Sequence, residues 1–251
     1  MSALPARDSF SVLETTVYSA AAADDDDDDE GVRLLPEHLL RMRASAAQLS
    51  AAYGAPCFDC SGVALEAVRA LIAAQLGDPR QRHRVRLLLD CAGRLTVQAT
   101  PEPTAPEPAA APPVALVLDT QPTDTDSLFV RCKTTFRPMY DAAAKRLPPS
   151  CPPGTHVLLY NASGRVTEAN IANVAVSLPD ADGRLALFTP PLADGLLPGT
   201  MRQRLLDAGH IREGPVTVDQ FRRAVANGWP VMCMNSVRGL YTVTPAVPDC
   251  L

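Results

Sequence analysis

The sequence predicts an α+β fold, and three observations carry that prediction. Short alternating apolar segments read as strands, and they are mixed irregularly with amphipathic helical segments instead of alternating in strict βαβ order. No segment repeats along the chain, which argues against a solenoid or propeller. A Pro/Ala/Glu stretch, "TPEPTAPEPAAAPP" at 100–113, cannot form a core and separates two halves of different texture. Periodicity alone leaves an α/β arrangement open beside α+β. Two domains are expected, 1–120 and 121–251. The first carries two insertions, the Pro-rich stretch and an acidic run at 24–29 that reads as a solvated loop tip.

The elements follow in order. "FSVLETTVY" alternates like a strand. In "LPEHLLRMRASAAQLSAAYG", Leu39, Leu40, Met42, Ala46 and Leu49 recur at helical spacing, and Gly54 stops the helix. "SGVALEAVRALIAAQLG" is a second amphipathic helix with Ser61 as its cap. "HRVRLLLDCAGRLTVQAT" is a hairpin turning at "DCAG", and "PVALVLDT" is a further strand. In "LFVRCKTTFRPMYDAAAKRL" an apolar strand ends at "KTT" and a helix follows. "HVLLYNASGRVTEANIANVAVSL" turns at "YNASGR" between strands, and "GRLALFTPP" is another strand. "LLPGTMRQRLLDAG" is a turn running into a short helix. The remainder reads strand, helix, strand, turn, strand.

Composition narrows the function. The chain has 251 residues, 47% hydrophobic and 20% charged, which is a globular balance. Part of the net charge of −5 comes from "DDDDDD", so the folded body is nearer neutral and offers no nucleic-acid surface. No run reaches the length of a membrane helix. The N-terminus lacks a basic start followed by an apolar core, so it does not read as a signal peptide. The seven cysteines are scattered, and "CFDC" (Cys57, Cys60) is a single CxxC with no second pair and no nearby histidines. A reduced cytoplasmic protein without a metal is expected.

Two charged residues stand in apolar surroundings. Lys133, in "FVRCKTT", is either a desolvated amine able to act as a nucleophile or an edge lysine whose head reaches solvent. Glu168, in "VTEANIANVAV", needs a partner, because burying an unpaired carboxylate costs several kcal/mol. That partner is either Lys133 or a cation supplied by a cofactor. "LLPGTMRQ" offers a glycine turn at a helix start, where backbone N–H groups at Thr200 and Met201 can hold phosphate. Arg41 can add charge to the same phosphate. Each signal taken alone also has a plain structural reading.

Together and in order, these pieces resemble the class IV, fold-type IV, pyridoxal-phosphate enzymes: branched-chain and D-amino-acid aminotransferases and aminodeoxychorismate lyases. The matching segments are "FSVLETTVY", "LLPEHLLRMRASA", "KTTFRPMYDAA", "YNASGRVTEANIANVAV", "FTPPLADGLLPGTMRQRLL" and "NSVRG". The short start, "KTTFRPMYD" and "NSVRG" look most like fungal aminodeoxychorismate lyases. The resemblance implies a two-domain fold, with a small α/β sandwich and a larger domain built on a barrel-like sheet. It implies pyridoxal 5'-phosphate as cofactor and a homodimer, with the pocket at the junction of the domains. Lys133 matches the Schiff-base lysine and Glu168 the carboxylate facing the pyridine nitrogen. Arg41, Thr200, Met201, Asn235 and Ser236 match the phosphate and cofactor side, and Asn173 a supporting residue. Arg238, Arg137 and Thr15 are the substrate-side candidates. One position departs from the pattern: branched-chain members carry a tyrosine where this chain has Pro138. Tyr140 is then a possible substitute phenol.

The reaction implied is conversion of 4-amino-4-deoxychorismate to 4-aminobenzoate and pyruvate, a step toward folate. Lys133 acts as the base and the cofactor takes up electrons. An aminotransferase on the same scaffold, and a non-catalytic homologue, are the alternatives.

Overall fold

The computed structural model describes residues 4–20, 28–29, 31–102 and 113–247. Most of the acidic run and of the Pro-rich stretch, both expected as insertions, lies outside the described residues. The chain divides into two compact units, each made of separate stretches: residues 1–109 with 132–136, and 110–131 with 137–251. The segment 132–136, expected with the C-terminal domain, therefore groups with the first unit.

In the first unit, β1 (Val12–Tyr18) sits inside a five-stranded sheet. Its companions are β2 (Asp28–Asp29), β3 (Val32–Arg33), β4 (His83–Leu89) and β5 (Leu95–Pro101), in the order β2-β3-β1-β4-β5. β1 and β4 pair antiparallel from Val12–Leu89 to Tyr18–His83. Helix α1 (Leu35–Tyr53) packs on β1. Its inward face is Leu35, His38, Leu39, Met42, Ser45, Ala46 and Leu49, spaced three and four apart as a helix facing a core requires. Leu40, expected on that face, points outward and is 63% exposed, because it stands a full 100° around the helix from Leu39. Leu34, before the first turn, is buried in a left-handed conformation (φ 52°) that non-glycine residues rarely adopt. Gly54 closes the helix at φ 63°.

Helix α2 (Leu65–Gln75) begins later than its sequence suggested, and Ala64 precedes it without a side-chain cap. Ser61 does not cap it. The Ser61 amide and hydroxyl donate to Asp59 at 2.9 and 2.8 Å, which makes a turn ahead of the helix.

A second correction concerns Lys133. The apolar run before it is not a strand: Leu128–Val130 forms a 3₁₀ turn capped by Ser127. A run this short carries no period, so helix, turn and strand read alike. Lys133 instead lies in an extended segment pinned along β1. The Leu13 amide donates to the Lys133 carbonyl (2.9 Å), the Thr135 amide donates to Ser11 (2.9 Å), and Val12 and Thr134 form a bridge.

The second unit is built on an eight-stranded sheet that curls into a half-barrel. Its strands are β6 (Val114–Leu118), β7 (His156–Tyr160), β8 (Val166–Ala169), β9 (Asn173–Pro179), β10 (Leu185–Thr189), β11 (Arg212–Glu213), β12 (Val231–Asn235) and β13 (Gly239–Ala246), ordered β11-β10-β9-β12-β13-β6-β7-β8. Its core includes Leu116, Leu158, Val166, Val174, Val176, Phe221 and Cys233. Helices α3 (Pro138–Lys145), α4 (Thr200–Asp207) and α5 (Val218–Ala226) pack on β7, β12 and β9 respectively. A capping box, Thr217 with Gln220, starts α5. The fold is α+β, as expected.

Candidate active site

In the first unit the site residues gather where α1 crosses β1. Glu14 is fully buried on β1. Its Oε1 accepts a bond from Arg41 Nε at 2.9 Å, and its Oε2 accepts a close bond from Arg41 Nη2. The same Oε2 meets His38 Nδ1 at 2.6 Å. His38 and Arg41 are one helical turn apart, so α1 presents both to the carboxylate. Burial alone would push the Glu14 carboxyl up, but Arg41 and His38 hold it down at about 2. Burial pushes His38 down against the pull of Glu14, so its ring is neutral at pH 7 and Nδ1–H donates. Lys133, half-buried, is close enough for its charge to act on His38. Arg41 is thus not a solvated helical arginine. Thr15 is half-buried on β1, next to Glu14 and opposite Arg86 on β4.

In the second unit Glu168, on the edge strand β8, is 4% exposed. The Tyr140 hydroxyl donates to its Oε1 at 2.7 Å and Asn173 Nδ2 approaches Oε2 at 3.3 Å. Helix α3, seated on β7, delivers Tyr140 to the neighbouring strand. Burial, then the charge of Glu168, raises the Tyr140 phenol well above its ordinary value, so it stays protonated and remains a donor. Arg137 stacks over the Tyr140 ring at 4.4 Å and donates to the Asn170 carbonyl. Pro138 is in the first turn of α3, and Tyr140, raised as a substitute phenol, has its hydroxyl on the carboxylate.

Asn173 also donates to the Leu197 carbonyl at 3.0 Å, which ties Glu168 to the loop entering α4. Gly199 precedes α4, and a Cβ there would stand 1.8 Å from Asn173 Oδ1. Only glycine lets this loop close on Asn173. Thr200 Oγ1 and Ser236 Oγ lie 2.7 Å apart, both buried, so the start of α4 and the β12–β13 turn share one polar corner. Met201 follows in the first turn of α4. Asn235 has a mainly structural part: its Oδ1 accepts from the amides of Val237 (3.1 Å) and Arg238 (2.9 Å) and shapes the turn that carries Ser236. Arg202, 2% exposed, anchors α4 from behind. Its guanidinium donates to the Pro190 carbonyl at 2.8 Å and to Glu213 at 2.6 Å. Arg238 is exposed, its guanidinium over the Tyr241 ring at 5.4 Å.

Three residues of these networks, Glu14, His38 and Arg202, and one contact, the Tyr140–Glu168 bond, were not assigned from sequence. The signal for one of them was present, since "EHLLR" places His38 on the same helix face as Arg41. The six described cysteines are free thiols, and among the described residues no group of three or more His, Cys, Asp or Glu side chains is placed to hold a metal.

The donor set fits pyridoxal phosphate. A helix start with buried hydroxyls at Thr200 and Ser236 suits a phosphate. A buried carboxylate held by a neutral phenol and an amide suits a pyridinium nitrogen.

Comparison with known proteins identifies the family. The family described as amino-transferase class IV matches residues 15–245. A Schizosaccharomyces pombe protein, provisionally named an aminodeoxychorismate lyase, is 36% identical over 91% of this chain and 86% of its own length. The Saccharomyces cerevisiae aminodeoxychorismate lyase is 34% identical over 49% of this chain and 35% of its own. Among solved structures, 4-amino-4-deoxychorismate lyase from Pseudomonas aeruginosa superposes with a TM-score of 0.68 at 19% identity, covering 99% of this chain and 89% of that one, a likeness of fold. The chain belongs to the class IV amino-transferase family and is an enzyme of its pyridoxal-phosphate-dependent, fold-type IV group.

Proposed function

We propose that the protein is an aminodeoxychorismate lyase, which converts 4-amino-4-deoxychorismate to 4-aminobenzoate and pyruvate for folate synthesis. The observation that carries the substrate is the near full-length similarity to the fungal protein of that name. The buried Glu168, with neutral donors on both oxygens, supports the cofactor.

Pyridoxal phosphate, when bound, supplies an electron sink beside the reacting carbon. The residues have separate tasks. Lys133 Nζ would hold the cofactor's aldehyde group, and as a free amine it would be the base for the proton on the carbon bearing nitrogen. The Glu168 carboxylate would face the pyridine nitrogen, with Tyr140 and Asn173 orienting it. The first-turn amides at Thr200 and Met201, the hydroxyl of Ser236 and the charge of Arg41 hold the phosphate, with Asn235 shaping that corner. Arg238 is the first candidate for a substrate carboxylate. Arg137 is second, because the Asn170 carbonyl and the Tyr140 ring already engage it. Thr15 lines the substrate side from β1. The working form is a cytoplasmic homodimer.

The test is absorption near about 410 nm, followed by aminodeoxychorismate and detection of 4-aminobenzoate and pyruvate. Lys133→Ala is expected to lose the band and the product. A band in the wild type without 4-aminobenzoate, but with glutamate formed from 2-oxoglutarate, moves the function to amino transfer.

A further inference from the structure

We propose that Glu14, backed by His38, is the positioning residue for Arg41 and gives this enzyme its grip on the cofactor's phosphate. The inference rests on the reading above, that Arg41 meets that phosphate. A fully buried carboxylate facing a guanidinium can be a structural pair only, and three observations point further.

The grip is two-pointed. Glu14 takes Nε and Nη2 of Arg41 together, through both of its oxygens. Such a fork fixes the plane of the guanidinium, not just its distance. An arginine whose task is only to neutralise a buried acid has no need of a fixed plane.

The carboxylate is itself held. His38 Nδ1 lies 2.6 Å from the oxygen that also takes Arg41 Nη2. The His38 ring is fully buried and in its neutral form, so it orients Glu14 without cancelling its charge. The arrangement is a chain of three, with His38 fixing Glu14 and Glu14 fixing Arg41.

The chain of three is next to Lys133. The residue before Glu14 donates its amide to the Lys133 carbonyl at 2.9 Å. The strand that carries Glu14 therefore carries the lysine segment too, and one rigid piece of backbone sets both. Arg41 is placed relative to Lys133 through Glu14, and the span between amine and phosphate is fixed in a bound cofactor.

The test compares two ligands for the apo-protein: pyridoxal 5'-phosphate and pyridoxal, which lacks the phosphate. Affinities come from absorption or fluorescence titration, without turnover. The ratio of the two affinities isolates the phosphate grip, and a general loosening of the fold lowers both together. Glu14→Gln is expected to cut that ratio by about tenfold, as loss of a charge-assisted bond does. Arg41→Ala is expected to cut it at least as far. In the Arg41→Ala background Glu14→Gln should change nothing more. An unchanged ratio in Glu14→Gln, beside a reduced one in Arg41→Ala, overturns the positioning role and leaves the phosphate reading standing. An unchanged ratio in Arg41→Ala overturns both. If Glu14→Gln does not fold, Glu14→Asp takes its place: it keeps the charge but withdraws it by one methylene, and a wild-type ratio there overturns the proposal.

Discussion

At the scale of single residues, the two buried carboxylates are held by different donors. Glu14 accepts from Arg41, which balances its charge, and Glu168 accepts from the Tyr140 phenol and the Asn173 amide. In the proposed site the first positions an arginine and the second faces the cofactor. Tyr140→Phe removes one donor to Glu168 and keeps the ring under Arg137. The variant is expected to fold normally and to lose roughly tenfold in kcat, the worth of one bond to a charged group. Steady-state rates with unchanged circular dichroism check this, and wild-type kcat would mean that the Tyr140 bond is not needed. Lys133 and Glu168 were legible in the sequence because each is a charge in an apolar context. Tyr140 was visible only as a stray phenol, since its distance from Glu168 depends on how α3 sits on β7.

At the scale of elements, the start of α4 is the most constrained piece of backbone. Asn173 reaches from β9 to both Glu168 and the Leu197 carbonyl, and Gly199 leaves the space that lets it do so. Gly199→Ala puts a methyl where the Asn173 amide now is, so the loop or the asparagine must move. The expected result is a loss of cofactor affinity of tenfold or more, together with destabilisation on the order of 1–3 kcal/mol from overpacking. Titration with pyridoxal phosphate and thermal melting measure the two losses, and an alanine variant with both unchanged would show that the contact does not matter. Long periodic elements such as α1 were readable from sequence, down to the glycine that ends it. The start of α2 and the segment before Lys133 were not. In both, side chains or short apolar runs serve local turns, and neither leaves a period to read.

At the scale of the whole molecule, stability should depend on acid through Glu14. Its carboxyl lies at about 2 in the folded protein against 4.5 ordinarily, a difference worth about 3 kcal/mol. The folded value is the lower one, so the unfolded chain binds the proton first. The contribution is complete above the ordinary value and fades as pH falls from there toward about 2. In urea unfolding, wild type is expected to exceed Glu14→Gln at pH 7, with the gap narrowing below pH 4. A gap that stays constant from pH 7 to pH 3 would contradict it. The α+β class was readable at this scale, but the way the chain is shared between the units was not, because 132–136 pair with β1 across a long stretch of intervening sequence.

That sharing has a consequence for how the protein is made. A ribosome releases β1 early, yet the segment that lines its edge emerges only after the opening part of the other unit. The N-terminal unit, though its five strands are already made, is finished only when 132–136 docks along β1, and until then one flank of β1 stays open while synthesis goes on. A truncated messenger ending before residue 132 would therefore yield no finished half-protein, only a chain left waiting for its last strip.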